Sequence, residues 1–212
     1  MLPCEYEISM DLRDEIKARE AVPIAVGSGT INDLVKVAAF EAGTKYMVVA
    51  TAASVDGYSA PGASMVRNGF KNSIYCTAPY VIIADTEVLS SAPDKMTSAG
   101  YADLSSKFTA GADWIIADCV RSDPIDDLVW RMVQEDLDLW LENPAGVITG
   151  SETAFAALFR GLTMTGLAMQ KARKSRPASG AEHLMSHIWE MKHLAVDGVP
   201  VSHGYKVAIA TL

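Results

Sequence analysis

The chain has 212 residues, half of them hydrophobic and 21% charged, with a net charge of −8. That composition belongs to a globular protein and excludes a disordered one, while the acidic balance excludes a nucleic-acid binder, whose affinity rests on clustered Lys and Arg. No apolar run approaches the roughly 20 residues of a membrane span, and the acidic start MLPCEYEISMDLRDE lacks the basic-then-apolar order of a signal peptide. A cytoplasmic protein is expected. Cys4, Cys76 and Cys119 are far apart and in no metal-ligand spacing, as for reduced thiols.

Residues 9–20 (SMDLRDEIKARE) have the pattern of an amphipathic helix, and Pro23 to Val26 that of a short apolar strand. Gly27-Ser28-Gly29-Thr30-Ile31-Asn32-Asp33 follows, then LVKVAAFEA at helical spacing. Strand, glycine turn and helix together present backbone N–H groups to a phosphate, and glycines at 27 and 29 permit positive φ and close approach of a ligand. Any tight βα connection can use the same turn, and GxGxxG is not met because position 32 is Asn. Nor does an acid stand about twenty residues on to hold a ribose, where the chain reads Thr44-Lys45-Tyr46-Met47.

Gly43 ends the helix, and Tyr46 to Thr51 is a buried-type strand. It runs into a small-residue loop to Gly62, in the position where open α/β sheets bind ligands. Asp56, before Gly57, is either a turn former or a hydroxyl acceptor. Asn68-Gly69 between two short arms signals a hairpin, and Val81 to Ala84 is another apolar strand, ending in Asp85.

From Pro93 onward helices are predicted at 94–118, 124–142, 150–169, 179–194 and from about 203, punctuated by Asp123-Pro124, Asn143-Pro144 and Pro177. The fold class is therefore α/β followed by all-α, with a boundary that gives 1–92 and 93–212. Asp103 stands out among the carboxylates of the helical part; at helical spacing from Lys107, it is either one partner of an exposed i,i+4 ion pair or a functional group. The basic run Lys171 to Arg176 is either a solvated inter-helix loop or a contact to a substrate phosphate. All four histidines, His183, His187, His193 and His203, fall after Pro177. His183 and His187, four apart, leave one helix face from consecutive turns and can share a metal or a polar ligand; an ordinary helix with surface or core histidines has the same spacing. Ser179 is the N-cap candidate with Glu182 as capping-box partner, and His203 stands directly before Gly204, where a further helix begins.

Taken in order, GSGTIND, TAASVDGYSA, AGYADLSSKFTAGADW, SGAEHLMSHIWEM and HGYKVAIATL resemble the motifs of the metal-dependent polyol dehydrogenases related to dehydroquinate synthase. They look most like the glycerol-1-phosphate dehydrogenase family, in its bacterial branch. The resemblance runs from about residue 20 to the end. It implies a dehydroquinate synthase-like fold, with a partial Rossmann-like parallel sheet followed by a helical metal-binding domain. It also implies that Gly27, Ser28, Gly29, Thr30 and Ile31 form the pyrophosphate turn for NAD(P)(H), with Thr51, Ala52, Ala53 and Ser54 touching the cofactor. Asp103, His183 and His203 are the implied ligands of one divalent ion, Zn2+ or Ni2+. Asp56 and His187 are the implied substrate contacts, and Asp103 and His187 the implied catalytic residues, with Asp103 also near substrate.

The implied reaction is reversible reduction of dihydroxyacetone phosphate to sn-glycerol 1-phosphate, with a small phosphorylated triose as substrate and a homodimer as the assembly. The alternatives are a polyol dehydrogenase without phosphate specificity and a non-catalytic metal- or nucleotide-binding fragment. Ala60 departs from the family's usual cofactor-contacting Ser, with Ser59 next door as a substitute; Tyr101-Ala102 precede Asp103 where a Gly is common. Dehydroquinate synthases typically carry Glu where this chain has Asp103, which favours the dehydrogenase side. Family members are longer, so the chain is expected to be an internal fragment lacking the βα units with the ribose-binding acid upstream and the last helices downstream.

Overall fold

The structure is a computed structural model that describes residues 2–212. Helix α1 (Tyr6–Arg19) leads into strand β1 (Ile24–Gly27), helix α2 (Gly29–Ala42) and strand β2 (Met47–Ala50). The hairpin β3 (Ala63–Arg67) and β4 (Phe70–Ile74) comes next, then β5 (Val81–Ala84). β1, β2 and β5 form a parallel sheet in that order, with Val49 opposite Val26 on one side and Ile83 on the other. Short apolar runs ending in small residues suit such strands, and α2 supplies the crossover that parallel pairing of the first two requires.

The hairpin turn is formed as its sequence predicts, with positive φ at both Asn68 (54°) and Gly69 (78°). Gly69→Ala is expected to cost about 1 kcal/mol, because an L side chain is strained in the left-handed region; urea unfolding measures it. Gly27 and Gly29, by contrast, do not use positive φ: the positive-φ glycines are 43, 69, 150 and 198. Gly27 instead closes β1 and Gly29 opens α2, so the helix begins inside the glycine turn, earlier than expected.

After β5 come α3 (Thr86–Ser90), capped by the Asp85 carboxylate, and then α4 (Asp94–Ser105) and α5 (Lys107–Cys119). The single helix expected over 94–118 parts at Ser106, whose hydroxyl donates to the Asp103 carbonyl at 2.7 Å and competes with the regular ladder. The helix expected over 124–142 likewise divides into α6 (Asp127–Gln134) and α7 (Leu137–Leu141). Then follow α8 (Pro144–Ile148), the long α9 (Glu152–Ala172), α10 (Ala181–Met191), a small hairpin β6 (Ala195–Val196) and β7 (Val199–Pro200), and α11 (His203–Thr211). Ser179 is not the cap of α10; Gly180 is, and its N–H donates to Glu182 at 2.7 Å.

The main hydrophobic cluster joins sheet residues (Ala25, Val48, Ala50) to Leu104 and to Phe155, Leu158 and Leu162 of α9, so strands and helices share one core. A second cluster packs α1 through Ile8 and Leu12 onto Leu34, Val37, Met65 and Cys76. Cys4, Cys76 and Cys119 are free, and burial pushes the Cys4 and Cys76 thiols up to about 12. Among the described residues, no helix is long and apolar enough to cross a membrane.

Candidate metal centre

Two glycines set the geometry of the site by letting backbone touch backbone. A Cβ on Gly100 would lie 1.9 Å from the Ala53 carbonyl oxygen, and one on Gly204 would lie 2.0 Å from that of Ala99. Helix α4 is therefore wedged between the 51–54 loop and α11, with Asp103 one turn beyond the contact and His203 beside it. The close approach falls at Gly100, not at the Tyr101-Ala102 positions. His183 enters from the first turn of α10.

Donor atoms of Asp103, His183 and His203 lie within 4.8 Å of one another, the one such His/Cys/Asp/Glu group of three among the described residues. His183 Nε2 is 3.7 Å from Asp103 Oδ1, and the two imidazole centroids are 5.3 Å apart. Asp103 and His183 are buried and His203 is half-buried. One carboxylate and two imidazoles converging this closely are a donor set suited to a divalent ion, with coordination positions left for substrate.

The surroundings of Asp103 differ from the expected surface ion pair. Lys107 Nζ lies 2.8 Å from Asp103 Oδ1 and 2.9 Å from Asp56 Oδ2, and the Lys107 and Asp103 side chains are 0% exposed. Asp56, in a 3-10 turn over Asp56–Tyr58, also donates its backbone N–H to Asp103 Oδ2 at 3.1 Å. Burial pushes the Asp103 carboxyl up, but Lys107, His183 and His203 outweigh it and hold the group far below the usual carboxylate range. Burial pulls Lys107 down, and Asp103 and Asp56 more than reverse that, so the ammonium stays charged. Asp56 is thus fixed against the triad, through Lys107 and its own backbone N–H, as well as being a turn residue.

His187 stands at the rim, with 45% of its side chain exposed, stacked on His203 at 6.0 Å between centroids and 27° between planes. His193 follows α10 with φ 51° and lies outside the cluster. On the sheet side no side chain caps α2, which leaves the first-turn N–H groups at Gly29, Thr30 and Ile31 free of a capping partner. Thr51 N–H donates to Gly27 O at 3.2 Å, and the buried Tyr58 hydroxyl donates to Ala52 O at 2.9 Å. The loop Thr51, Ala52, Ala53, Ser54 is therefore tied to the glycine turn on one side and pressed against α4 on the other. Ser59 does not replace the serine missing at Ala60: it is fully buried and donates its hydroxyl to Thr163 O at 2.8 Å. Lys174 and Arg176 of the basic run pair with Asp123, in keeping with the solvated-loop alternative.

Two residues here have no role assigned from the sequence. Lys36 is fully buried and donates to the carbonyls of Gly57, Ala60 and Gly62 at 2.7, 3.0 and 2.9 Å, which pins the loop that carries Asp56. Glu190 sits seven residues after His183 and three after His187, a spacing that puts it on the same face of α10.

A family model described as iron-containing alcohol dehydrogenase matches residues 3–93. The glycerol-1-phosphate dehydrogenase [NAD(P)+] of Bacillus velezensis is 39% identical over 189 residues, 89% of this chain and 48% of that protein. The enzyme of the same name from Korarchaeum cryptofilum is 34% identical over 211 residues, 95% of this chain and 67% of its own length. This chain spans about half the length of the bacterial relatives it matches. Among solved structures, a probable glycerol dehydrogenase from Sinorhizobium meliloti superposes with a TM-score of 0.81 at 19% identity, over 99% of this chain and 60% of that one. The fold, α/β followed by all-α, is accordingly dehydroquinate synthase-like. The chain belongs to the glycerol-1-phosphate dehydrogenase family.

Proposed function

We propose that this chain carries the metal and substrate site of an NAD(P)(H)-linked reductase that converts dihydroxyacetone phosphate to sn-glycerol 1-phosphate. The observation that carries the proposal is the meeting of Asp103, His183 and His203 within 4.8 Å beside Asp56. Asp103, His183 and His203 would hold one divalent ion, Zn2+ or Ni2+, a choice that the Asp/His/His set leaves open. Bound there, it supplies Lewis acidity toward the alcohol or ketone oxygen of the substrate. The chain's own residues do the rest. Lys107 keeps Asp103 ionised in a buried site and holds the Asp56 carboxylate beside it, and Asp56 and His187 orient substrate hydroxyls and relay the proton.

The turn Gly27, Ser28, Gly29, Thr30, Ile31 would receive the NAD(P) pyrophosphate at the N-terminus of α2, and Thr51 to Ser54 would line its path toward α4. A solved relative in fold, the sulfoacetaldehyde reductase of Bifidobacterium kashiwanohense, is a complex with NAD+. A small phosphorylated triose as substrate and a homodimer as assembly accompany the proposal on the strength of the family likeness. In the test, NADH or NADPH oxidation is followed with dihydroxyacetone phosphate and with dihydroxyacetone, before and after chelation. Oxidation with the phosphate ester that chelation abolishes is expected; undiminished turnover after chelation refutes the proposal.

One observation favours the alternative of a non-catalytic metal- or nucleotide-binding fragment. Ile24 and Val26 of β1 are 57% and 62% exposed and Val22, just before it, is 59% exposed, whereas parallel strands are normally covered on both faces. That alternative predicts stoichiometric metal without oxidation of NADH on any small ketone.

A further inference from the structure

Each of the imidazoles at the site has one ring nitrogen taken by a carboxylate that is not part of the triad. Glu182, 2% exposed, lies with Oε1 2.7 Å from His183 Nδ1, while Nε2 of the same ring faces Asp103. Glu182 is itself held by the Gly180 N–H at 2.7 Å and by the Thr109 hydroxyl at 3.4 Å. Glu190, with 5% of its side chain exposed, serves both of the other rings. Oε1 lies 3.1 Å from His203 Nδ1 and 3.1 Å from Lys206 Nζ; Oε2 lies 3.2 Å from His187 Nδ1 and 2.5 Å from Lys71 Nζ. Lys71 reaches it from strand β4 of the hairpin, 119 residues away in sequence. Ser186 adds its hydroxyl to His203 Nδ1 at 3.3 Å.

A neutral imidazole has two tautomers, and the wrong one presents N–H where a lone pair is needed. A carboxylate on Nδ1 selects the tautomer with Nδ1–H, fixes the plane of the ring, and makes Nε2 a better donor. We infer that Glu182 and Glu190 are positioning residues for the imidazole ligands His183 and His203, and that Glu190 holds His187 in register with them. Lys71 and Lys206 occupy the remaining lone pairs of Glu190, so it braces the rings and does not compete with them for the ion. The hairpin thereby becomes a support of the site. The inference rests on the proposed role of Asp103, His183 and His203 as metal ligands.

The test is the affinity of wild type, Glu182→Gln, Glu190→Gln and Glu190→Ala for Co2+ and Zn2+, by competition with a chromophoric chelator, together with the visible absorption spectrum of the Co2+ proteins. The near-isosteric Gln variants carry the test if the Ala variant does not fold. The Glu variants are expected to bind about 10- to 100-fold more weakly, with an altered Co2+ spectrum and Glu190→Ala the weakest. Wild-type binding together with unchanged affinity and spectrum in the folded variants overturns the inference and leaves the proposed site standing. Failure of the wild type to bind either ion overturns both.

Discussion

Lys107→Met is expected to destabilise the protein by about 3–5 kcal/mol, the range for removing one partner of a buried ion pair. The lysine is wholly buried between the carboxylates of Asp103 and Asp56, at 2.8 and 2.9 Å, and methionine matches its bulk without its charge. The Asp103 and Asp56 carboxylates would then lose the cation between them. An exposed i,i+4 pair, as the sequence spacing suggests, would be worth only about 0.3–0.5 kcal/mol, so the magnitude decides between the two arrangements. Urea unfolding of wild type and variant measures it. Adding Zn2+ is expected to recover part of the loss, because an ion on Asp103 supplies positive charge to the same carboxylate. A loss under about 1 kcal/mol would mean that Lys107 is solvated, contrary to its burial here.

Gly204→Ala and Gly100→Ala are each expected to cost about 3 kcal/mol, at or beyond the upper end for overpacking. In most cores a side chain can rotate away from an added methyl group. Here the obstacle is a backbone carbonyl, 2.0 Å from the Gly204 Cβ position and 1.9 Å from that of Gly100, so whole segments must separate. Movement of α11 away from α4 carries His203 with it, so Gly204→Ala is expected to weaken metal binding even where the variant folds. Gly57→Ala is the comparison, since its Cβ would make ordinary contact with Val55 at 3.7 Å. Thermal unfolding and metal titration of the three variants check both parts. Equal effects at Gly57 and Gly204 would remove the argument from close approach.

The parts of this protein legible in the sequence are those governed by local rules. The strands at 24–27, 47–50 and 81–84, the hairpin at Asn68-Gly69 and the helix start at His203 follow from short apolar runs, turn residues and caps. The motifs also named the residues that come together at Asp103, His183 and His203, although spacing alone gave no reason for the first to meet the others. What stayed hidden depends on distant partners. Lys107 has the same sequence spacing from Asp103 whether the pair is exposed or buried, and only the arrival of Asp56 and α10 excludes water. Glu182 fitted a capping box and does bind a helix-start N–H, but its oxygen also meets His183. Glu190 shares a helix face with the histidines, which was readable, whereas its tie to Lys71 across 119 residues was not.

The most direct measurement is the metal content of the purified protein after equilibration with Zn2+ or Ni2+, for wild type and for Asp103→Ala, His183→Ala and His203→Ala. One ion per chain in the wild type, and none in each folded variant, is the expected result. A wild type that holds no ion, or variants that hold as much as it does, would contradict the convergence of these three side chains on a common cation.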